Sequence, residues 1–433
     1  MTARASDARL ADVLVIGGGM AGAMAALAAR AAGARVVLAR RSPGATALSS
    51  GAISVAPDLG GFPGEPLASR RGPLEAARRL AATWPDHPYA VVGVQRLGEA
   101  VSFAAAELGS VLAPPTERRR FLATLYGSAV GAGLCQRSMS AGDLLAIEGT
   151  LVVVGFRGHA GFDARLVADG LARYRSRGGP EVRAVEIDLP AIAAGAARPH
   201  EIARALDARG GAEALGEALR AALPEGAGVA LLPPVLGLDV AARAPERAAA
   251  QAGLPVAETL SDVPSVPGLR LQRAIDARLA EAGVQVVLGE LAALPTPGDA
   301  VVLGGTQVRA KAWVLATGRF VGGGIVRRGV LAEPVFRLPV QAAEGREAGV
   351  RLAVRPAASL TVRDRRRPQP LLSAGLHVDR ALRPLDDWGR PVHPRLFAAG
   401  AVIGGHEQAT DGTGLGVAIL TGFLAGRAAA EGA

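Results

Sequence analysis

The chain has 433 residues, enough for a sizeable core and two or three domains. Half of it is apolar, 20% is charged and only 3% is aromatic, a globular composition that excludes a disordered or collagen-like chain. Its net charge of +9 is almost all arginine, with Lys311 the only lysine and no aromatics interleaved, so nucleic-acid binding is not expected.

The tightest basic clusters are Arg118-Arg119-Arg120 and Arg363 with Arg365-Arg366-Arg367. They read first as solvated loops and second as docking sites for an acidic partner or an anionic surface. A single cysteine, Cys135, excludes an internal disulfide and any cluster or zinc site built on several thiolates. No spacing of His, Cys, Asp or Glu supports a metal site.

In chain order, Val13 to Ala29 is apolar and follows Arg4 and Arg9, as a signal peptide or membrane span would. Asp12 at its start and three consecutive glycines inside it argue for a strand that turns into a helix, so no signal peptide or transmembrane helix is expected. Asp12–Ile16 is a β-branched run suited to a buried parallel strand, and Ala23–Ala32 is rich in helix formers and ends at Gly33. A second strand follows over Arg35–Ala39. Between the first strand and the helix stands Gly17-Gly18-Gly19-Met20-Ala21-Gly22, a G-x-G-x-x-G placed where a dinucleotide-binding turn needs it. Gly17 permits the tight turn, Gly19 lets backbone approach a phosphate, and Gly22 lets helix and strand pack closely. The helix start, with Met20 and Ala21, offers amide donors and the positive end of the dipole. At the end of the second strand, where a carboxylate commonly accepts the ribose hydroxyls, this chain has Arg40 and Arg41. Either the ribose is held differently, or the adenosine half is absent, or the arginine favours a free terminal phosphate.

The next segment, Ser42 to Ser54, is small and hydroxyl-rich; Ser49, Ser50 and Gly51 can wrap a phosphate or a ring edge without steric conflict. Ile202–Leu223 has a helical pattern, Gly268–Leu279 an amphipathic one, and Val284–Leu288 reads as a strand. Trp313-Val-Leu-Ala-Thr317-Gly318 is an apolar strand closing on small residues, with Thr317 and Gly318 expected beside a flavin. Leu396-Phe-Ala-Ala-Gly400 is a last strand, and Asp411-Gly-Thr-Gly414-Leu415-Gly416 opens a helix to about Ala430. A glycine-rich helix start there would stabilise negative charge on a reduced flavin. The apolar stretch from Gly412 to Gly426 is too short and glycine-rich to span a membrane.

These three parts, an opening turn, an Ala-Thr-Gly strand and a closing strand–loop–helix, make a flavin signature spread along the chain. The expected fold is α/β: a discontinuous Rossmann-type FAD/NAD(P)-binding domain with an inserted α+β cap. Residues 1–65, 264–325 and 393–433 would build the flavin domain, 66–263 the cap, and 326–392 a smaller β-rich insertion.

The signature resembles the succinate dehydrogenase/fumarate reductase-type flavoproteins, and within them the B-subunit family of anaerobic glycerol-3-phosphate dehydrogenase. Leu48-Ser-Ser-Gly-Ala-Ile53, Met139-Ser-Ala-Gly-Asp143, Leu231-Leu-Pro-Pro-Val-Leu-Gly237, Pro264-Ser-Val-Pro-Gly-Leu-Arg270 and Ala316-Thr-Gly-Arg-Phe-Val-Gly-Gly-Gly324 carry the closer match, over nearly the whole chain. The resemblance implies FMN, where the fold implies FAD, and makes Arg40 a family feature. It implies a three-chain complex oxidising sn-glycerol 3-phosphate to dihydroxyacetone phosphate and passing electrons to a membrane quinone. The partners would be a second, catalytic flavoprotein and an iron–sulfur membrane-anchor subunit. The chain would then be cytoplasmic, held at the inner face of the membrane through those partners, with no iron–sulfur cluster of its own. In that complex the sister flavoprotein could perform the oxidation and this chain relay electrons. A free-standing flavin oxidoreductase and a redox-silent scaffold of the same fold are the alternatives.

Carboxylate-reducing relatives keep an arginine in the loop before the last helix; here that slot falls at Thr410 or Asp411, which disfavours a dicarboxylate substrate. Candidate acid–base residues are His406, in the loop nearest the expected flavin face, and Arg319, just after Ala-Thr-Gly, with Glu407 and His159 behind them. His87, His200, His377 and His393 receive no role.

Overall fold

The computed structural model describes residues 9–56, 71–196, 198–289, 297–328, 330–344, 347–351, 361–364 and 369–433. Within them, the apolar run after Asp12 forms β1 (Arg9–Ile16), buried from Val13 onward because both faces of the strand are covered. Helix α1 (Met20–Ala31) and β2 (Val36–Arg40) complete the opening unit. The later strands of the same sheet come from far along the chain: β9 (Gln285–Leu288), β10 (Ala300–Leu303), β11 (Thr306–Leu315) and β16 (Leu396–Ala398). Strands β9, β2, β1, β11 and β16 lie side by side in that order, all parallel, and β10 pairs antiparallel with the first part of β11. The strand expected from Trp313 starts earlier and stops sooner: β11 takes in the alternating Thr306–Lys311 stretch and ends at Leu315, before Thr317.

Helix α11 (Val266–Glu281) and α14 (Gly416–Glu431) cover the sheet with α1. Helices α1 and α14 touch backbone to backbone: a Cβ on Gly426 would stand 2.1 Å from the Ala25 carbonyl oxygen. The expected cap boundary at residue 66 lies outside the described residues. Beyond it, α2 (Pro73–Thr83), α3 (Pro88–Val92) and α4 (Leu97–Glu107) bury Ala77, Leu80, Tyr89, Ala100 and Ala104 in the core of this large sheet, not among the cap's strands. Apolar faces on short helices satisfy either assignment in sequence; the packing puts them with the first domain.

The cap itself starts with a hairpin, β3 (Arg120–Ala123) and β4 (Ala129–Ala132), followed by α5 (Arg137–Ser140). It then forms a parallel sheet in the order β6 (Glu181–Ile187), β5 (Thr150–Phe156), β7 (Ala227–Leu232), β8 (Val256–Glu258). Its helices are α6 (Ala164–Ala172), α7 (Pro190–Ala193), α8 (Pro199–Asp207), α9 (Gly211–Ala222) and α10 (Ala244–Ala252). The helical pattern over 202–223 resolves into α8 and α9, with Gly210 between them in a left-handed conformation. Cap and flavin-type domain are tied by a buried ion pair, Arg270 Nη1 to Glu258 Oε1 at 2.5 Å, which Ser138 also joins. Cys135 is fully buried among Ala113, Leu122 and Met139.

In the smaller insertion, hairpins β12 (Val326–Arg328)–β13 (Val330–Ala332) and β14 (Gln341–Glu344)–β15 (Glu347–Arg351) are followed by the one-turn α12 (Pro370–Ser373). Arg365, Arg366 and Arg367 lie outside the described residues. The other basic cluster is not a solvated loop: Arg119 is buried and donates to the Ala56 and Arg71 carbonyls, while Arg118 pairs with Asp143 at 2.7 Å.

Candidate functional site

The carboxyl end of β1 turns through three glycines into α1. Gly17 has φ +123°, and a Cβ there would lie 2.1 Å from the Ala316 carbonyl oxygen, so only glycine lets the ends of β1 and β11 meet. The Met20 amide at the helix start donates to Thr46 Oγ1 at 2.9 Å, which binds the hydroxyl-rich loop to the turn.

Around this turn opens a cavity of about 1110 Å³. It crosses the carboxyl ends of β9, β2, β1 and β11, at Gly289, Arg41, Gly17 and Thr317 respectively, the place where an open α/β sheet receives its ligand. Gly19, Met20 and Ala21 line it from the turn, Ser49 and Ser50 from the following loop, and Gly318 beside Thr317. Gly414 and Leu415 bring the approach to α14 to the same wall. Gly22, Gly51, Gly400 and Gly416 do not face the cavity; they are packing glycines, with Gly51 against Met139 and Pro267 and Gly400 against Ala21.

Two hydroxyls on the wall, Thr317 Oγ1 and Ser49 Oγ, are shut from solvent without a hydrogen-bond partner among the described residues. Buried polar atoms are seldom left so, and a ligand carrying polar ring edges and phosphates, such as a flavin nucleotide, would satisfy them.

Arg40 lines the cavity, but its guanidinium turns to α11. It holds Asp276 with both terminal nitrogens, at 2.6 and 3.1 Å. Gln272, one turn earlier, donates to Asp276 and to the Gly18 carbonyl. The Arg40 stem lies against Gly18, where an added Cβ would be 2.4 Å from Cδ. The arginine and carboxylate thus neutralise each other beside the middle glycine of the turn.

The two catalytic candidates sit differently from expectation. Arg319 lines the cavity, but its guanidinium binds the carbonyls of Leu372, Ala401, Ile403 and His406, fastening the loop before α13 (Gln408–Asp411). Burial pulls its pKa down to about 10, with the Glu407 charge working against that shift. Its donors thus tie Leu372 to the loop of residues 401–406. His406 is only 1% exposed and does not line the cavity; its ring stacks edge-on against His87, 5.9 Å between centroids. Its neighbours Glu407, at the amino cap of α13, and Gln408, the first residue of that helix, line the cavity instead. Glu407 Oε2 accepts the Gln369 amide at 2.7 Å.

His87, given no role by its sequence, is fully buried behind that wall. It caps α3, with Nδ1 accepting the Tyr89 amide, and its Nε2 is 3.7 Å from Asp411 Oδ2. Asp411 in turn accepts the Glu407 amide at 2.7 Å. The only sequence signal was the His-Pro pair of a helix start; nothing local links it to Asp411. His159 is buried in the cap after β5, and does not line the cavity.

The FAD binding domain family model matches residues 12–417. A probable anaerobic glycerol-3-phosphate dehydrogenase B-subunit from Halobacterium salinarum is 32% identical, covering 97% of this chain and 98% of the relative. The anaerobic glycerol-3-phosphate dehydrogenase B-subunit of Pectobacterium atrosepticum is 30% identical, covering 95% and 96%. Among solved structures, the E. coli quinol fumarate reductase flavoprotein aligns over 99% of this chain and 71% of its own, at 13% identity and a TM-score of 0.43.

Proposed function

Because the chain belongs to the B-subunit family of anaerobic glycerol-3-phosphate dehydrogenase, among flavoproteins with the FAD binding domain, we propose that it carries FAD in a quinone-linked complex. That complex oxidises sn-glycerol 3-phosphate to dihydroxyacetone phosphate. The observation that carries the reading is the cavity, which runs from the ends of β9 and β2, past the phosphate turn, to the loop bearing Glu407. Room on both sides of the turn favours FAD over FMN: the adenosine half would lie toward Arg41 and Gly289, the ring toward Thr317, Ser49 and Leu415.

Bound flavin supplies the two-electron acceptor for the hydride leaving the alcohol carbon. The hydroxyl proton needs a second acceptor, and Glu407 is the wall's carboxylate, held by Gln369 and by the Asp411 contact to its amide. Glu407 replaces His406 in that role. The amino end of α14 at Leu415 and Gly416 presents its dipole to negative charge on the neighbouring ligand.

The relatives are named as one subunit of a larger enzyme, which supports an assembly with a second flavoprotein and an iron–sulfur membrane anchor as partners. No helix among the described residues is long and apolar enough to cross a membrane, so the reading gives the membrane contact, at the inner face, and the quinone to a partner.

The test is a spectrum of the purified chain, chromatography of the released flavin, and anaerobic mixing with sn-glycerol 3-phosphate. FAD and bleaching of its absorbance are expected, and Glu407→Gln should slow bleaching about 100-fold or more with flavin retained. A colourless protein that cannot be reconstituted sinks the cofactor reading. Unchanged bleaching in Glu407→Gln sinks the proton acceptor.

A further inference from the structure

Four arginines line the cavity: Arg40, Arg41, Arg319 and Arg337. Arg40 is held by Asp276, Arg319 by four carbonyls, and Arg41 has partners of its own. The guanidinium of Arg337 has no hydrogen bond or ion pair among the described residues. It is exposed and lines the cavity, whereas Gly17, Gly18 and Gly19 of the turn are buried or half-buried.

Its backbone is also unusual. Arg337 has φ +56°, in the left-handed region that a long side chain seldom adopts. The conformation is imposed by a buried carboxylate: Glu333, fully inaccessible, accepts the amides of Val335 and Phe336 at 2.8 and 2.7 Å. The Glu333 amide returns to the Leu338 carbonyl, and the Phe336 ring packs edge-on against Trp313 of β11. A tight, braced turn therefore holds a residue ill-suited to its conformation, with an unpaired cation on the cavity wall. Strained, over-determined positions of this kind cluster at ligand sites.

We propose that Arg337 is the anion-binding residue of this cavity and takes the phosphate of a small phosphorylated substrate as it enters. This rests on the function proposed above and adds the residue that would select a phosphate monoester over the bare alcohol. A guanidinium suits the task because its planar fork matches two phosphate oxygens at once. In the reading above, the phosphates of the cofactor belong to the turn at Gly17–Ala21, a different segment of the cavity lining.

Glycine suits φ +56° better than arginine, so Arg337→Gly removes the cation while easing the turn, and the fold is kept. With flavin-loaded protein, calorimetric titration of inorganic phosphate at low salt should show binding that weakens at least tenfold in R337G. The melting temperature should be no lower, and flavin affinity should stay within twofold. In the bleaching assay R337G should raise the KM for sn-glycerol 3-phosphate at least tenfold, with kcat within threefold and the reaction of unphosphorylated glycerol unaltered. Phosphate binding equal in R337G and wild type, or absent from wild type, overturns the assignment. So does a loss of flavin affinity with phosphate binding intact, which would make Arg337 a cofactor contact. Phosphate binding that depends on Arg337 without bleaching by sn-glycerol 3-phosphate leaves the anion site standing and refutes the proposed reaction instead.

Discussion

Arg40 stands where a dinucleotide fold commonly keeps a carboxylate, and its partner on α11 supplies a charge of that sign after all. Arg40→Ala would leave Asp276 unpaired beside the phosphate turn. Two like unit charges about 10 Å apart repel by about 1.7 kcal/mol at an effective dielectric of 20. The Asp276 side chain is 35% exposed, so solvent and salt remove about half of that. What remains, about 0.8 kcal/mol, is roughly a fourfold loss of affinity for each negative phosphate charge. FMN and FAD carry about 1.5 to 2 phosphate charges, so R40A should bind them about eight- to sixteenfold more weakly, and R40A/D276A should return to within about twofold of wild type. Titrating apoprotein with each flavin and following fluorescence quenching gives all the constants needed. A double variant as weak as R40A would mean that Arg40 grips phosphate directly, and the neutralised-pair reading would be wrong.

Gly17→Ala places a methyl 2.1 Å from the Ala316 oxygen at a φ of +123°, and should abolish flavin binding and most soluble expression, checked by pigment per milligram of purified protein. His87→Asn keeps an acceptor for the Tyr89 amide but loses the contact to Asp411; hydrogen exchange over residues 404–416 should speed up while the rest of the chain is unchanged, and uniform loosening would contradict the role. Burial pushes the Cys135 thiol up to about 11, so native protein should resist iodoacetamide at pH 8 and react only when unfolded. The folded state holds that proton more tightly than the unfolded one, whose thiol ionises near 9. The stability advantage over Cys135→Ala should therefore be complete below pH 9 and shrink as the pH rises toward 11, read from paired thermal melts.

The phosphate turn was legible because its whole grammar is local: strand, three glycines and helix within twenty residues. Ser49, Thr317 and Leu415, each next to a small-residue motif at a strand or helix end, line the cavity as their positions suggested. What escaped were relationships between distant segments. Arg40 looked like a missing acceptor until α11 brought Asp276 to it, and His87 meant nothing without Asp411. That His406 is buried while Glu407 lines the cavity depends on an irregular loop at the start of α13, where no periodicity fixes which side chain faces inward. Helices α2–α4 were given to the cap because an amphipathic pattern says that a face is buried, not which sheet buries it.

The parallel sheet takes its strands from residues 9–40, 285–315 and 396–398, and α1 beds against α14 near the end of the chain. During synthesis, the cap's apolar clusters can close as soon as residue 257 is available, since they draw on residues 121–257. The first domain must wait, with β1 and α1 made early and left without β11, β16 or α14. Strand β1 has β2 beside it at once but lacks β11 until residue 306, and α1 lacks α14 until residue 416, at a ribosomal pace of about 5–20 residues per second. Assembly of the cavity must therefore wait for β16 and α14, and that long interval is when the first domain is open to aggregation and most in need of a chaperone.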